Sequence, residues 1–457
     1  MTETGITAGI SLTTGQDPNN EKRLIRQLSL PFGHFESSIR ITADPASNRS
    51  EALASWWWSY LHGKKARATT EYGTLRVAEM FGGPGGLAQG VKQFCREAGI
   101  VFESQGVVDE DRGATRVYAQ NHHTSKRHTS HCSTSSIIDH KLDPDSKDWG
   151  PSGWAVENAP AITELHPAWQ ELRGEVDLLL AGPPCQGHSN LNNHTRRDDD
   201  RNEAYLDVPA LAIALDIPVV IIENVPAVIY DAREVVDKAK KLFESNHYHV
   251  ETGLLKADHM GWPQTRSRFF LIARRDHKPL PLAEVQTAMA WPHDAPPLNL
   301  WWAIHDLANA TSEEHHMHRV AEYSDDNLKR IDYLHGEGSD DFDLPAERHN
   351  DSHKKGTTYK SVYGRLNPEA PAGTITSGFL TPGRGRYVHP TERRTINPAE
   401  AARIQGFPDN YVFDVDGITP AKAQLTKWIG DAVPMPLGYA AAISALGAGL
   451  PNQQPAA

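Results

Sequence analysis

The chain has 457 residues, 39% hydrophobic and 23% charged, which suits a globular protein with one large domain and a smaller companion. No apolar run approaches the length of a membrane span, and the polar first 20 residues lack a signal-peptide core, so a cytoplasmic protein without a membrane partner is expected. The formal net charge of −12 argues against a uniformly basic nucleic-acid binder, although binding depends on where charge sits rather than on its sum.

Residues 1–72 read as an N-terminal extension whose first half is polar. Ser55-Trp56-Trp57-Trp58-Ser59-Tyr60-Leu61 is an aromatic knot, followed by the basic Lys64-Lys65-Ala66-Arg67. A short helix packed on the main domain is preferred there over a base-stacking platform. From Leu75 the pattern is α/β. Residues 75–81 predict a strand running into a glycine turn, 86–98 a helix, and 106–108 a second strand that ends in Asp109. Further strands are predicted at 176–181, ending in Gly182-Pro183-Pro184, and at 218–222, ending in Glu223-Asn224. A late strand is predicted at 269–273. Short apolar strands alternating with helices indicate a parallel sheet buried on both faces. Residues 277–357 are rich in His, Asp, Glu, Asn and Pro, with a helical patch near 300–309. They predict a small loop-rich domain, and an Ala-rich helix near 437–446 closes the chain.

Glu79-Met80-Phe81-Gly82-Gly83-Pro84-Gly85-Gly86 lets backbone approach a ligand closely. It lacks the Lys-Ser/Thr of a triphosphate loop. Asp109, ending the next strand, is where an acid can accept hydrogen bonds from ribose hydroxyls. The three cysteines, Cys95, Cys132 and Cys185, are odd in number and far apart, which suggests neither a disulfide framework nor a zinc site. Cys185 follows an apolar strand and two prolines, at the carboxyl end of the sheet where open α/β folds bind ligands. Taken alone it reads as a buried thiol. Glu223 and the Gln264-Thr265-Arg266-Ser267-Arg268 segment bring an acid and two arginines toward the same edge. The histidines at 122, 123, 128 and 131, and at 315, 316 and 318, are irregularly spaced and read as solvated loops rather than metal ligands.

These segments resemble the DNA cytosine-5 methyltransferase family. The matching motifs are Phe81 to Gly86, Pro184-Cys185-Gln186, Glu223-Asn224-Val225, Gln264-x-Arg266-x-Arg268, Arg403-Ile404-Gln405-Gly406-Phe407-Pro408 and Ile429-Gly430-Asp431-Ala432-Val433-Pro434. They occur in the family's order over roughly residues 75–447. The sequence departs from the pattern at His188, where the family usually has an aromatic residue, and at Asp431, where it has Asn.

The resemblance implies a Rossmann-like S-adenosylmethionine methyltransferase sheet with a small target-recognition domain. The division it suggests is an extension (1–72), a catalytic and cofactor domain (73–276, resumed at 396–450), a recognition region (277–395) and a tail (451–457). By resemblance, Cys185 attacks carbon 6 of a flipped-out cytosine in double-stranded DNA, Glu223 and Arg268 hold the base, and Arg266 steadies the site. S-adenosyl-L-methionine is the implied cofactor and S-adenosyl-L-homocysteine the product. Its expected neighbours are Glu79, Phe81, Gly82, Gly83, Gly85, Gly86, Asp109, Glu110, Pro183, Asp431 and Val433. Gln186, Ser189, Arg196, Arg197, Asn224 and Gln264 are expected at the substrate, with residues 186–202 forming a lid. A cognate restriction endonuclease and a DNA-bound monomer are part of the same expectation. An RNA-directed (tRNA) enzyme and a non-catalytic DNA-binding relative remain alternatives.

Overall fold

Residues 8–17, 19–41, 49–130, 138–140, 162–165, 167–184, 204–311, 313, 315–336, 343–345, 348–349 and 362–451 are described by the structure, a computed structural model. Ahead of the main sheet the chain forms a small antiparallel sheet: β1 (Gly9–Gln16), β2 (Lys22–Leu30), β3 (Gly33–Arg40) and β4 (Arg67–Ala68). The sequence reading missed these strands. The inward positions of β2 are Leu24, Arg26, Leu28 and Leu30, and the charge at the second of them hides the period of two. Arg26 is buried because it is paired, with Nη1 3.2 Å from Glu97 Oε2. Its guanidinium also lies 4.8 Å from the Trp57 ring centroid and 5.2 Å from that of Tyr439.

The aromatic knot forms α1 (Arg49–Leu61), as expected. Trp56 and Trp57 are buried; Trp56 Nε1 donates to Glu97 Oε1 at 3.0 Å, and Tyr60 OH donates to the Gly406 carbonyl at 2.8 Å. The knot is therefore core packing that ties the extension to the main domain.

Next come β5 (Gly73–Met80), α2 (Gly86–Glu97), β6 (Ile100–Val108), α3 (Arg112–His122) and β7 (Thr129–Ser130). The short strand β7 pairs in parallel with the end of β6. β8 (Ile138–His140) and β9 (Ile162–Leu165) pair with each other. β10 (Leu178–Ala181), α4 (Ala204–Ala214), β11 (Val219–Asn224), α5 (Val235–Ser245), β12 (His249–Lys256) and β13 (Ser267–Arg274) complete the sheet. Its order is β12-β13-β11-β10-β5-β6-β7. The sheet is mostly parallel, but β13 runs antiparallel to both β11 and β12. Every residue of β10 and β11 is buried, as a central strand covered on both faces requires.

The rest of the chain contributes α6 (Leu282–Ala288), α7 (Leu300–Ile304), α8 (Asp325–Leu334), β14 (Gly364–Arg365), β15 (Arg386–Val388), α9 (Pro398–Gln405), α10 (Lys422–Asp431) and α11 (Met435–Leu446). α9 starts where its sequence says it should. Asn397 and Glu400 form a reciprocal capping box, with Pro398 in the first turn. The α7 residues Leu300, Ala303 and Ile304 share a core with Ile404, Phe407, Trp428 and Ile429 of the returning chain. A smaller cluster of Ile331, Leu334, Leu344, Val362, Tyr363 and Val388 holds the loop-rich part together.

The stretch Lys422–Leu446 is, by length and composition, apolar enough to cross a membrane, which the sequence reading overlooked. Its most apolar part is buried inside the protein, and the stretch is divided into α10 and α11. α11 lies directly on α2, where a Cβ at Gly90 would come within 2.4 Å of the Met435 carbonyl oxygen.

Candidate active site

Three central strands end level with one another: Met80 of β5 pairs with Ala181 of β10, which pairs with Ile222 of β11. β10 leaves through Gly182-Pro183-Pro184, and β11 ends in Glu223-Asn224. Because β13 runs backwards, its first residues, not its last, arrive at this edge. That reversal brings Arg268 to Glu223, with Nε 2.8 Å from Oε1. Both side chains are largely buried. Burial pushes the Glu223 carboxyl above its ordinary value, against the opposing pull of Arg268 and then Arg266. Gly182 stands beside them, since a Cβ there would be 3.7 Å from both Glu223 Oε2 and the Phe81 carbonyl oxygen.

The glycine turn lies along the same edge. Phe81 has φ +54°, and Gly85 has φ +92°, a left-handed conformation at the N-cap of α2. The Gly83 N–H donates to Asp109 Oδ2 at 3.0 Å, and the Asp111 N–H donates to Asp109 Oδ1 at 2.8 Å, so Asp109 fixes both its own loop and the turn. Asp111 caps α3 and accepts from Trp428 Nε1 at 2.9 Å. The far end of the chain closes the turn: a Cβ at Gly86 would be 2.6 Å from the Val433 carbonyl oxygen. Glu79, at the end of β5, is 2% exposed, and its Oε2 is buried without a hydrogen-bond partner. Burial pushes its carboxyl up to about 8; Tyr118 opposes this and Asp109 adds to it.

Several expected site residues hold the frame instead. Gln264, expected at the substrate, is completely buried and donates from Nε2 to Gln405 Oε1 at 3.0 Å. Arg266, expected in the catalytic group, donates from Nη1 to the carbonyls of Ile375 (2.8 Å) and Gly430 (3.1 Å). Asn224, also expected at the substrate, donates from Nδ2 to the Pro183 carbonyl at 3.3 Å, bracing the loop that follows β10. Asp431 is half-exposed and lies 3.5 Å from Lys427 Nζ, one helical turn back. Glu110 is exposed at the end of β6, whereas Pro183 and Val433 are buried. Cys185, Gln186, Ser189, Arg196 and Arg197 lie outside the described residues.

Gln405 was missed as a functional residue. Its Nε2 donates to the carbonyls of Ile429 (2.6 Å) and Ala432 (3.1 Å), which pins the segment that covers the glycine turn. The Arg403–Pro408 motif was visible in the sequence, but no periodicity assigns its Gln a partner. The histidines at 122 and 316 also depart from the solvated-loop reading. His122 is buried against Tyr411 and the turn, and His316 pairs with Asp414 at 3.1 Å. Among the described residues, His389, Glu392 and Glu400 form the one group with metal-ligand spacing. Arg394 is already seated there, with Nη1 2.8 Å from Glu400 Oε2 and Nη2 2.6 Å from Glu400 Oε1.

A seven-stranded sheet with one reversed strand, a glycine turn after its first strand and an acid after its second define an α/β methyltransferase. A crystal structure of the S. pombe Dnmt2 methyltransferase has the same fold (TM-score 0.50, 15% identity, 81% of this chain and 98% of that one). The chain belongs to the C-5 cytosine-specific DNA methylase family, whose model matches residues 154–445. It is 34% identical over 401 residues to the type II methyltransferase M1.BsuMI of Bacillus subtilis (strain 168), covering 87% of this chain and 86% of that protein. It is 28% identical over 374 residues to the type II methylase M.HgiDII of Herpetosiphon aurantiacus, covering 79% and 92%. The protein is thus an S-adenosylmethionine-dependent enzyme that methylates carbon 5 of cytosine in DNA. Its turn fits that cofactor: a Cβ at Gly83 would meet nothing within 4 Å, and Glu79 offers an unpartnered buried oxygen beside it.

Proposed function

We propose that the methyl transfer runs through Cys185, Glu223 and Arg268, with the cofactor held by the glycine turn, Asp109 and Val433. The observation that carries this reading is the buried Glu223–Arg268 pair, 2.8 Å apart at the strand end adjoining Gly182-Pro183-Pro184. The cysteine thiolate adds to carbon 6 of the flipped cytosine, forming an S–C bond and making carbon 5 enamine-like. Glu223, protonated, donates to ring nitrogen 3 while Arg268 meets the base carbonyl. S-adenosylmethionine supplies the methyl group as a sulfonium-borne electrophile. A base then removes the carbon-5 proton, and the electron pair of that C–H bond expels the Cys185 thiolate. Gln264, Arg266, Asn224 and Gln405 act as positioning residues for this site.

In this reading residues 277–395 read the target sequence, residues 186–202 close over the flipped base, and Arg196 and Arg197 meet DNA. The protein works in the cytoplasm as a DNA-bound monomer. A cognate restriction endonuclease is the partner suggested by the type II relatives. Transfer from labelled S-adenosylmethionine to duplex DNA, with bisulfite sequencing of the product, tests the reading. Transfer that survives Cys185→Ala refutes the covalent route. A strong preference for RNA over duplex DNA refutes the substrate assignment.

A further inference from the structure

Beneath the glycine turn is a buried acid without a countercharge. Gly82 covers it: a Cβ there would stand 3.4 Å from Glu79 Cγ and 2.8 Å from Val107 Cγ2. Gly83, the next residue of the turn, faces open space, since a Cβ there would meet nothing within 4 Å. The groups that face it come from three elements. Asp109 at the end of β6 is an acid, Tyr118 of α3 is a buried phenol that opposes the upward shift, and Tyr411 follows α9. His122 of α3 stands behind Tyr118, where burial and then Lys92 of α2 hold it well below the usual histidine range, hence uncharged. Among the described residues, no cation acts on Glu79.

A buried carboxylate with no cation and an acid for a neighbour is held as the neutral acid. The cofactor's methionine end carries a primary ammonium, the charge this pocket lacks. We propose that Glu79 exchanges its proton for the cofactor, standing as a neutral acid in the free protein and becoming the carboxylate partner of that ammonium on binding. The ammonium keeps its three protons, Glu79 loses one, and the buffer takes it up. The inference rests on the reading that the glycine turn holds the cofactor. The shift of the Glu79 carboxyl to about 8 in the free protein agrees with it, and sets the range in which release is seen as neutral pH and just below.

The test is calorimetric titration of the full chain with S-adenosylhomocysteine at about pH 7, in two buffers of different protonation enthalpy. Close to one proton released per site is expected, with affinity rising up to about tenfold per pH unit from about pH 6 to 7.5. Glu79→Gln should bind with no release and a flat profile. Binding without proton release overturns the proposal alone. Equal release from Glu79→Gln also overturns it, because another group would then be the source. No binding at any pH overturns the cofactor-site reading and this proposal with it. The two-buffer result on the unaltered protein stands even if the variant fails to fold.

Discussion

Arg26→Met should be among the most damaging substitutions outside the active site. Glu97, whose side chain is 1% exposed, accepts from Trp56 Nε1 (3.0 Å), Gln93 Nε2 (2.7 Å) and Tyr439 OH (2.6 Å), besides pairing with Arg26. Methionine fills much of the arginine volume but leaves Glu97 with three neutral donors and no paired cation. Breaking a buried pair from one side costs roughly 3–5 kcal/mol. Because the three donors remain, the cost should fall near the lower end, about 3 kcal/mol, part of it the lost cation–π contact with Trp57. Urea denaturation followed by tryptophan fluorescence reads this directly, since Trp56 and Trp57 sit in the cluster. The midpoint should drop at unchanged slope. The double variant Arg26→Met/Glu97→Gln should recover much of the loss, giving a coupling of about 2 kcal/mol. A single-variant cost below about 0.5 kcal/mol, or additive losses in the double variant, would refute the claim that this pair fastens the N-terminal sheet to α2 and α11.

Glu223 must be protonated to donate to the base, so kcat/KM should fall as pH rises through its raised value; Glu223→Gln should lower kcat by roughly 100- to 10,000-fold and abolish that limb, and a variant that keeps the limb would show another group is responsible. Gly86→Ala drives a methyl against the Val433 carbonyl and should cost about 1–3 kcal/mol, read as a lower unfolding midpoint together with weaker S-adenosylhomocysteine binding; unchanged values of both would contradict the close contact. His62 is held above its ordinary value by its hydrogen bond to Asp306, which joins the end of α1 to the loop-rich region. Its contribution to stability is fully present below the unfolded histidine value of about 6.5 and is lost as pH rises through the raised folded value. The His62→Gln variant should therefore lose the decline in denaturation midpoint that the unaltered chain shows above that pH; identical pH profiles for the two chains would remove the linkage. The effect should be small, because His62 is partly exposed.

The α/β alternation was legible because buried central strands are continuous apolar runs, and residues 176–181 and 218–222 read as such without help from the rest of the chain. Strand direction was not legible. The apolar run at 269–273 looks the same whether β13 runs with its neighbours or against them, yet only the reversed direction brings Arg268 to Glu223. The N-terminal sheet was hidden by Arg26, whose charge occupies a core position. Its partner Glu97 lies 71 residues away, on a helix the sequence could not place beside it.

The same limit governs the motif residues. Gln264, Arg266 and Arg268 sit at alternate positions along five residues of chain, and spacing alone treats them as equals. In the structure they do different work. Arg268 meets the acid at the strand end, Arg266 bridges the carbonyls of Ile375 and Gly430, and Gln264 is spent on Gln405. Gln405 in turn holds Ile429 and Ala432, and Val433, next in the chain, lies against Gly86. A hydrogen-bonded path therefore runs from the segment beside the acid to the segment that covers the cofactor turn, through residues separated by 141 positions in sequence. A motif so divided constrains both substrates at once. Of its three polar side chains, one stands at the acid and two keep the pocket walls in register.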